Sequence, residues 1–320
     1  MKIVVTGALG HIGSRLIQEI PNAFQGSEIV MVDNLETQRY SSLFSLPSPA
    51  QYRFIEADVT TSDLISIFEG ADIVVHLAAL TNAPESFRMK EKVERVNVEG
   101  TERVAEACLK AGSAMIFVST TSVYGGTTGV VEEDCSPEDL QPQSPYAHSK
   151  LKAEQCLQRM GEENGLRFVI CRFGTVFGVS PGMRFHTAVN KFCWQAVLGQ
   201  PISVWRTALD QKRPYLELGD AVRALEFIMK KNLFDGRVYN VVTTHATVGE
   251  MIGILSDLIP GVSIEYVDHE IMNQLSYEVS TSRFRAQGFQ FQGSLRRGIG
   301  ETVQLLQSAS QPLKVPSIRS

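Results

Sequence analysis

The sequence has few of the features that mark several protein classes. It holds five cysteines, Cys108, Cys135, Cys156, Cys171 and Cys193, scattered, odd in number and without a C-x-x-C pair. That argues against a disulfide framework and for reduced thiols, several inside apolar runs, and no metal site is expected. No apolar stretch is long enough to span a bilayer, and nothing ahead of the first strand resembles a signal peptide. A cytoplasmic chain with no membrane partner is therefore expected. Neither sign of charge dominates, with 30 Lys and Arg against 35 Asp and Glu and a net charge of −5. This removes the basic surface that nucleic-acid binding requires, so no nucleic-acid partner is expected. There is no internal repeat and no low-complexity segment. With 320 residues, 43% of them hydrophobic, the chain can bury a large core in one domain or two closely joined ones.

The stretch MKIVVTGALGHIG, Met1 to Gly13, is the most informative. A short apolar run (Ile3, Val4, Val5) ends at Thr6-Gly7, glycines recur at Gly7, Gly10 and Gly13, and a helical pattern follows through Ile12, Leu16, Ile17 and Ile20. Strand, tight turn and helix in that order point a helix N-terminus at a phosphate, with His11 and Ile12 at the first turn of the helix. One glycine permits the turn, one lets the backbone approach a pyrophosphate, and one lets the helix pack closely on the strand. Asp33 closes a second apolar run, Glu28 to Asp33, roughly twenty residues beyond Gly13, where a carboxylate can accept hydrogen bonds from a ribose diol. It would repel a 2′-phosphate and so favours NAD, while the nearby Arg39 keeps NADP open.

Short β-rich runs at Ile3–Val5, Ile29–Val32, Tyr52–Ile55, Ile73–His76, Met115–Val118 and Phe168–Cys171 alternate with helical patterns at His11–Ile20, Glu85–Lys110 and Pro145–Glu163. The expected fold is α/β: a Rossmann-type doubly wound parallel sheet with a smaller, interleaved C-terminal substrate domain. After Cys171 the rhythm loosens through Gly174, Gly178, Pro181 and Gly182. A helix is expected at Phe185–Leu198, a strand at Val238–Val242, a helix at Thr247–Ile259 capped by Thr247 and Glu250, and a strand at Val262–Val267. The expected division gives residues 1–173, with 219–245 returning, to the cofactor domain, and 174–218 with 246–320 to the substrate domain. A frayed tail is expected after Gln311.

Further cofactor contacts are expected at the strand ends: Asp58 and Val59 near the adenine, and the small Leu77-Ala78-Ala79 stretch where the backbone can approach the ligand. Asn97 is a polar residue on an otherwise packed helix, either a surface residue or a buried bridge to the neighbouring loop. The fifth strand ends in hydroxyls, Ser119, Thr120, Thr121 and Ser122, which suit a ligand at the sheet edge or a turn cap equally well. In Ser144-Pro-Tyr-Ala-His-Ser-Lys150, Pro145 suits a helix start and places Tyr146 and Lys150 at i and i+4 on one face. An ammonium beside a phenol stabilises the phenolate and brings a pKa that begins near ~10 toward neutrality. Tyr146 would then serve as the acid/base that hydride transfer at a carbinol requires, with Thr120 orienting the same oxygen. Met183, Arg184, Phe185, His186 and Asn190 open the excursion that borders a substrate, and Arg184 is either a phosphate or carboxylate ligand or an exposed cation.

Taken together, TGALGHIG, VDN with Asp33 and Asn34, DV at Asp58, HLAA at His76, STTSVYG and YAHSK resemble the extended short-chain dehydrogenases/reductases. The likeness is to their NAD-dependent nucleotide-sugar epimerase/dehydratase group, and it spans nearly the whole chain. It implies a catalytic triad of Thr120, Tyr146 and Lys150, retained NAD contacted also by Ser119, and Arg213 of RPYLELGD near the sugar-nucleotide phosphates. It also implies a homodimer built on the Glu85–Lys110 and Pro145–Glu163 helices. Thr175 departs from the pattern, since relatives usually carry Asn there. Similar 4,6-dehydratases carry Asp-Glu where this chain has Thr121-Ser122, and decarboxylases usually carry Glu at the position of Ser122. Enzymes that epimerise at C3 and C5 use a Cys hereabouts, and none lies between Cys108 and Cys135. The hydroxyl run resembles the 4-epimerases of UDP-sugars and UDP-uronic acids, which implies a nucleotide-sugar 4-epimerase using tightly bound NAD. Reductases, decarboxylases and dehydratases of nucleotide sugars, and a non-enzymatic NAD-binding sensor, are the alternatives.

Overall fold

The computed structural model describes residues 1–125, 129–267 and 276–310, so the expected frayed tail lies outside the described residues. The chain opens with β1 (Lys2–Thr6), α1 (His11–Ala23), β2 (Glu28–Asp33), β3 (Gln51–Glu56), α2 (Leu64–Phe68) and β4 (Ile73–His76). It continues through α3 (Ala83–Ser86), α4 (Lys90–Glu94), a π turn at Arg95–Glu99, α5 (Gly100–Ala111) and β5 (Ala114–Thr120). Next come β6 (Val130–Val131), α6 (Pro145–Asn164), β7 (Phe168–Phe173), β8 (Thr175–Phe177), α7 (Ala188–Val197) and β9 (Ile202–Trp205). β10 (Arg213–Glu217), α8 (Leu218–Lys231), β11 (Val238–Val241), β12 (Thr244–Ala246) and α9 (Val248–Leu258) follow. The described chain ends with β13 (Ile264–Val267), β14 (Glu278–Val279), α10 (Ser282–Ala286) and α11 (Leu295–Ser310).

Seven strands form one parallel sheet in the order β11-β7-β5-β4-β1-β2-β3. Its inner strands are runs of Val and Ile because both faces are covered, and Ile3, Val4 and Val5 are fully buried. On one face α1 and α8 pack through Leu16, Ile17, Leu225 and Ile228. On the other, α2, α5 and α6 pack through Phe68, Val104 and Leu157. A third core, with Phe177, Phe192, Ile202, Tyr215, Met251 and Val303, joins α7, α9 and α11 to the small sheets β12-β10-β8 and β13-β9. The strand order reverses between β1 and β4, so the carboxyl ends of those strands splay apart and leave a crevice, the place where open α/β sheets bind ligands.

The expected strands are all present, and β11 returns to the sheet edge beside β7 as expected. Thr247 and Glu250 form the reciprocal capping box of α9, at 3.1 and 2.7 Å, a cap that contributes about 1 kcal/mol. Three expectations need correction. The single helix over 85–110 is instead α3, α4, the π turn and α5: the chain breaks between Ser86 and Lys90, and the π turn carries Asn97, whose side chain bonds the Leu80 backbone. The helix expected from Phe185 begins only at Ala188. Residues 284–289, grouped by sequence with the second lobe, pack on the sheet side, where Phe284 and Phe289 enter the core of α1 and α8. Among the described residues no helix is long and apolar enough to cross a membrane.

Candidate active site

A cavity of about 500 Å³ opens along the carboxyl ends of the sheet, from the glycine turn after β1 to the start of α7. At its first end the three glycines divide their work by geometry. Gly7 has φ +67°, and a Cβ there would stand 2.6 Å from the Ala78 nitrogen. A Cβ on Gly13 would stand 2.5 Å from the Gly7 carbonyl oxygen, so this glycine sets how closely α1 sits on the turn. Gly10 faces the cavity with more room, since a Cβ there would stand 3.2 Å from the Gly7 oxygen. The Asp33 carboxylate accepts from the backbone amides of Leu9 (3.1 Å) and Leu35 (3.0 Å), which ties the turn to the end of β2. Asp58 accepts from Asn34 Nδ2 (3.0 Å) and from the Thr60 amide and hydroxyl. Burial opposes its charge, but these bonds and nearby Arg95 hold its carboxyl below the ordinary value. Val59, Leu77, Ala78 and Ala79 complete this wall.

At the other end Tyr146, Lys150, Ser119, Thr120 and Ser122 face the same cavity. Ser144 caps α6 by accepting from the Ala147 amide at 3.2 Å, and Pro145 fixes its first turn. The Tyr146 hydroxyl meets the Thr120 side chain. Burial pushes this phenol up from its usual value, while the Arg184 cation and the Thr120 hydroxyl pull it down. Lys150 Nζ donates to the Val118 carbonyl (2.9 Å) and lies 4.6 Å from the centre of the Phe117 ring, and Arg184 adds a second positive charge to the cavity that Tyr146 shares. Burial brings the Lys150 ammonium down to about 7, against the pull of Glu154.

A chain of hydrogen bonds braces both ends from behind. Thr101 donates its hydroxyl proton to the Asn97 carbonyl (2.7 Å), so its oxygen accepts from His76 Nε2 (3.1 Å). His76 Nδ1 is then the acceptor for the Thr6 hydroxyl at 2.7 Å. Burial, with Lys150 nearby, lowers His76 to about 3, consistent with this neutral tautomer. The Asn97 side chain accepts from the Leu80 amide (2.8 Å) and donates to the Leu80 carbonyl (3.0 Å) and to Ser149 (2.9 Å). It is the buried bridge, not a wall of the cavity.

Arg184 and Thr175 line the cavity; Thr121, Asn190 and Arg213 do not. Thr121 is buried with its hydroxyl 3.4 Å from that of Tyr277. Asn190 accepts from the Gly178 amide (3.2 Å) and donates to the Arg184 carbonyl (3.0 Å), so it shapes the loop that carries Arg184. Arg213 stacks on Tyr277, 5.7 Å from its ring centre, and Tyr277 in turn meets the Thr121 hydroxyl. Arg184 bonds Thr81 through Nη1, yet its Nε is buried without a partner. His11 is similar: Nδ1 pairs with Ser180 at 2.8 Å, while Nε2 is buried, partnerless and on the cavity wall. Burial, reinforced by Arg184, Arg39 and His186, lowers His11 to about 3. Sequence reasoning missed Thr81 and Tyr277, which no spacing connects to the motifs.

These features fit a dinucleotide: an open glycine face, a helix N-terminus, an acidic strand end, and buried donors without partners. Comparisons with known proteins agree. Residues 3–241 match the model of the NAD dependent epimerase/dehydratase family. A Bacillus subtilis (strain 168) protein named as an uncharacterized UDP-glucose epimerase, YtcB, is 30% identical over 81% of this chain and 82% of its own. The dTDP-D-glucose 4,6-dehydratase of Bos taurus is 28% identical over 95% of this chain and 88% of its own. The structure of UDP-glucuronic acid 4-epimerase from Bacillus cereus, with UDP-glucuronic acid and NAD, superposes with a TM-score of 0.88. It is 25% identical, over 97% of this chain and all of that one. With the glycine turn, Asp33 and the Tyr146–Lys150 face on one cavity, the chain belongs to the NAD-dependent epimerase/dehydratase family and is an enzyme that uses NAD.

Proposed function

We propose that the protein is a nucleotide-diphosphate-sugar 4-epimerase, with UDP-sugars or UDP-uronic acids as its substrate class. The observation that carries the reading is a cavity in which Tyr146, Lys150 and Thr120 meet while Thr121 is turned away and Ser122 offers only a hydroxyl. NAD, when bound, supplies the hydride acceptor at the sugar carbon and the donor for its return. The protein's residues handle the proton and the orientation. Tyr146 takes the proton from the sugar's C4 hydroxyl and gives it back, Thr120 holds that oxygen in line, and Lys150 and Arg184 stabilise the phenolate between the two transfers. A 4-keto sugar that turns between removal and return of hydride receives it on the opposite face, so no further acid or base is required.

The dehydratase reading, suggested by relatives such as the bovine enzyme, needs an acid and a base next to Thr120 to eliminate water. Thr121 and Ser122 supply neither. A decarboxylase or reductase lacks any specific support. Substrate contacts are assigned to Thr120, Ser122, Thr175 and Arg184, and Arg213 acts through Tyr277. The cofactor domain takes residues 1–173 and 219–245, and the substrate domain takes 174–218 and 246–320 with α10 packed back on the sheet. We place the enzyme in the cytoplasm as a homodimer through the helical segment 85–110 and α6. The test is NMR of purified protein with a panel of UDP-sugars and no added cofactor. Interconversion of C4 epimers is expected, whereas loss of CO2, a 4-keto product or a requirement for added NAD(P)H would overturn the reading.

A further inference from the structure

Tyr146, Lys150 and Glu154 recur at helical spacing on one face of α6. The first two reach the cavity, but Glu154 is only 1% exposed and does not. Its carboxylate accepts from the Ser119 hydroxyl at the end of β5 and from Arg172 on β7. Arg172 Nε lies 3.1 Å from both oxygens and Nη2 lies 2.6 Å from one. Ser119 and Arg172 are themselves partners in the β5–β7 register, so one carboxylate pins the helix to two strands at one level. Arg172 is equally buried, and its Nη1 donates to the Tyr124 hydroxyl (2.8 Å), which donates to Asn240 on β11 (2.8 Å). Every charged atom in this network has a partner. A buried ion pair is nonetheless a poor device for stability alone, since apolar residues of similar shape often do as well. Its placement one helical turn from Lys150 calls for a different reason.

We propose that Glu154, clamped by Arg172, is a positioning residue for Lys150. It fixes the height of α6 over β5 and β7 and keeps a negative charge beside the ammonium, so that Lys150 enters the reaction as a cation. This inference rests on the acid/base reading of Tyr146 and Lys150. The groups around Lys150 leave Glu154 as its counter-charge. Tyr146 and Glu154 face it along α6, neutral His76 from β4, and the Val118 carbonyl and Phe117 ring from β5. Arg172 stands behind Glu154 on β7, and Arg184 acts on Tyr146 from the loop before α7. Burial alone drives the ammonium toward neutrality, and Glu154 is the charge that opposes it.

The test is a titration of Lys150 by NMR of the purified protein carrying 13C-labelled lysine, the signal being assigned by its loss in Lys150→Met. Glu154→Gln is expected to lower the Lys150 midpoint by about one pH unit or more. The alkaline limb of the kcat profile should move the same way, with KM little changed, and Glu154→Asp should restore most of both. A folded Glu154→Gln protein with a wild-type Lys150 midpoint overturns the proposal. If the single variant does not fold because Arg172 is stranded, Glu154→Gln combined with Arg172→Gln removes both charges and keeps polar groups in place. A lowered midpoint is expected there too, and an unshifted one overturns the proposal. The NMR midpoint requires no turnover. Failure of the acid/base reading therefore shows separately, as full turnover by Tyr146→Phe while the Lys150 shift persists.

Discussion

The two ends of the cavity are built by different means. At the glycine turn, residues 7 to 13 do most of the work, and they do it with backbone: a positive φ at Gly7, a missing side chain at Gly13, and amides held by Asp33. At the Tyr146 end, the working groups are side chains from segments far apart in sequence, including Thr81, Thr120, Tyr146, Thr175 and Arg184. The first end is tolerant of chemistry but intolerant of added atoms. The second tolerates modest changes of shape but depends on individual functional groups. Substitutions at the first end should damage the fold and cofactor retention together, while those at the second should damage turnover and leave the fold intact.

The largest expected effect is at the second end. Tyr146→Phe keeps the ring and removes the proton carrier, so kcat should fall about 10²–10⁴-fold while the melting temperature and retained NAD stay as in the wild type. Loss of NAD by this variant would erase the distinction between the two ends. Gly13→Ala should do the reverse. Its Cβ would stand 2.5 Å from the Gly7 oxygen and 2.7 Å from the Ala8 oxygen, and backbone cannot move aside cheaply. We expect roughly 2–4 kcal/mol of destabilisation by chemical denaturation, with loss of bound cofactor.

Arg184→Met should fall between these. It removes a buried donor set from the cavity, and hydrogen bonds to charged partners are worth about 1.5–3 kcal/mol, or roughly 10–100-fold in substrate KM. A smaller drop in kcat is expected as Tyr146 loses the cation acting on it. Steady-state kinetics that show kcat alone affected would move Arg184 out of substrate binding.

The last effect is absent at neutral pH and concerns acid stability. His11 and His76 are each lowered to about 3 by burial and therefore stay neutral in the fold while the unfolded chain takes protons below about 6.5. The unfolded state binds more protons throughout that window, so stability is full above it and falls as pH drops from about 6.5 toward 3. The loss is roughly 1.4 kcal/mol per pH unit for each histidine once its unfolded form is charged. Thermal melts of His76→Gln should show a shallower acid slope than the wild type, and an unchanged slope would remove His76 from the account.

The parts that were legible in the sequence are those in which neighbours in the chain act together. Ile3–Val5 and Ile73–His76 read as buried strands because their apolar runs need two covered faces, and Thr247 and Glu250 read as a cap because they meet across one helical turn. Tyr146 and Lys150 were found by spacing, but what acts on each of them was not. The phenol shares its cavity with a cation from residue 184, and the ammonium is turned to the Val118 carbonyl. Helical spacing gives a common face and does not say which groups the rest of the chain brings to it.

The sequence by itself determined the alternation of strands and helices, the glycine turn and the acidic strand end, because hydrophobic periodicity and steric exclusion act over a few residues. Only the tertiary structure decided that Asn97 is a brace, that Thr121 turns to Tyr277, that Arg184 lines the cavity it shares with Tyr146, and that Glu154, one helical turn from Lys150, pairs with Arg172. Each of these depends on how far a side chain is removed from water and which partner it then meets. That is settled when distant segments pack, since desolvation and hydrogen bonding belong to the assembled core rather than to any stretch of chain.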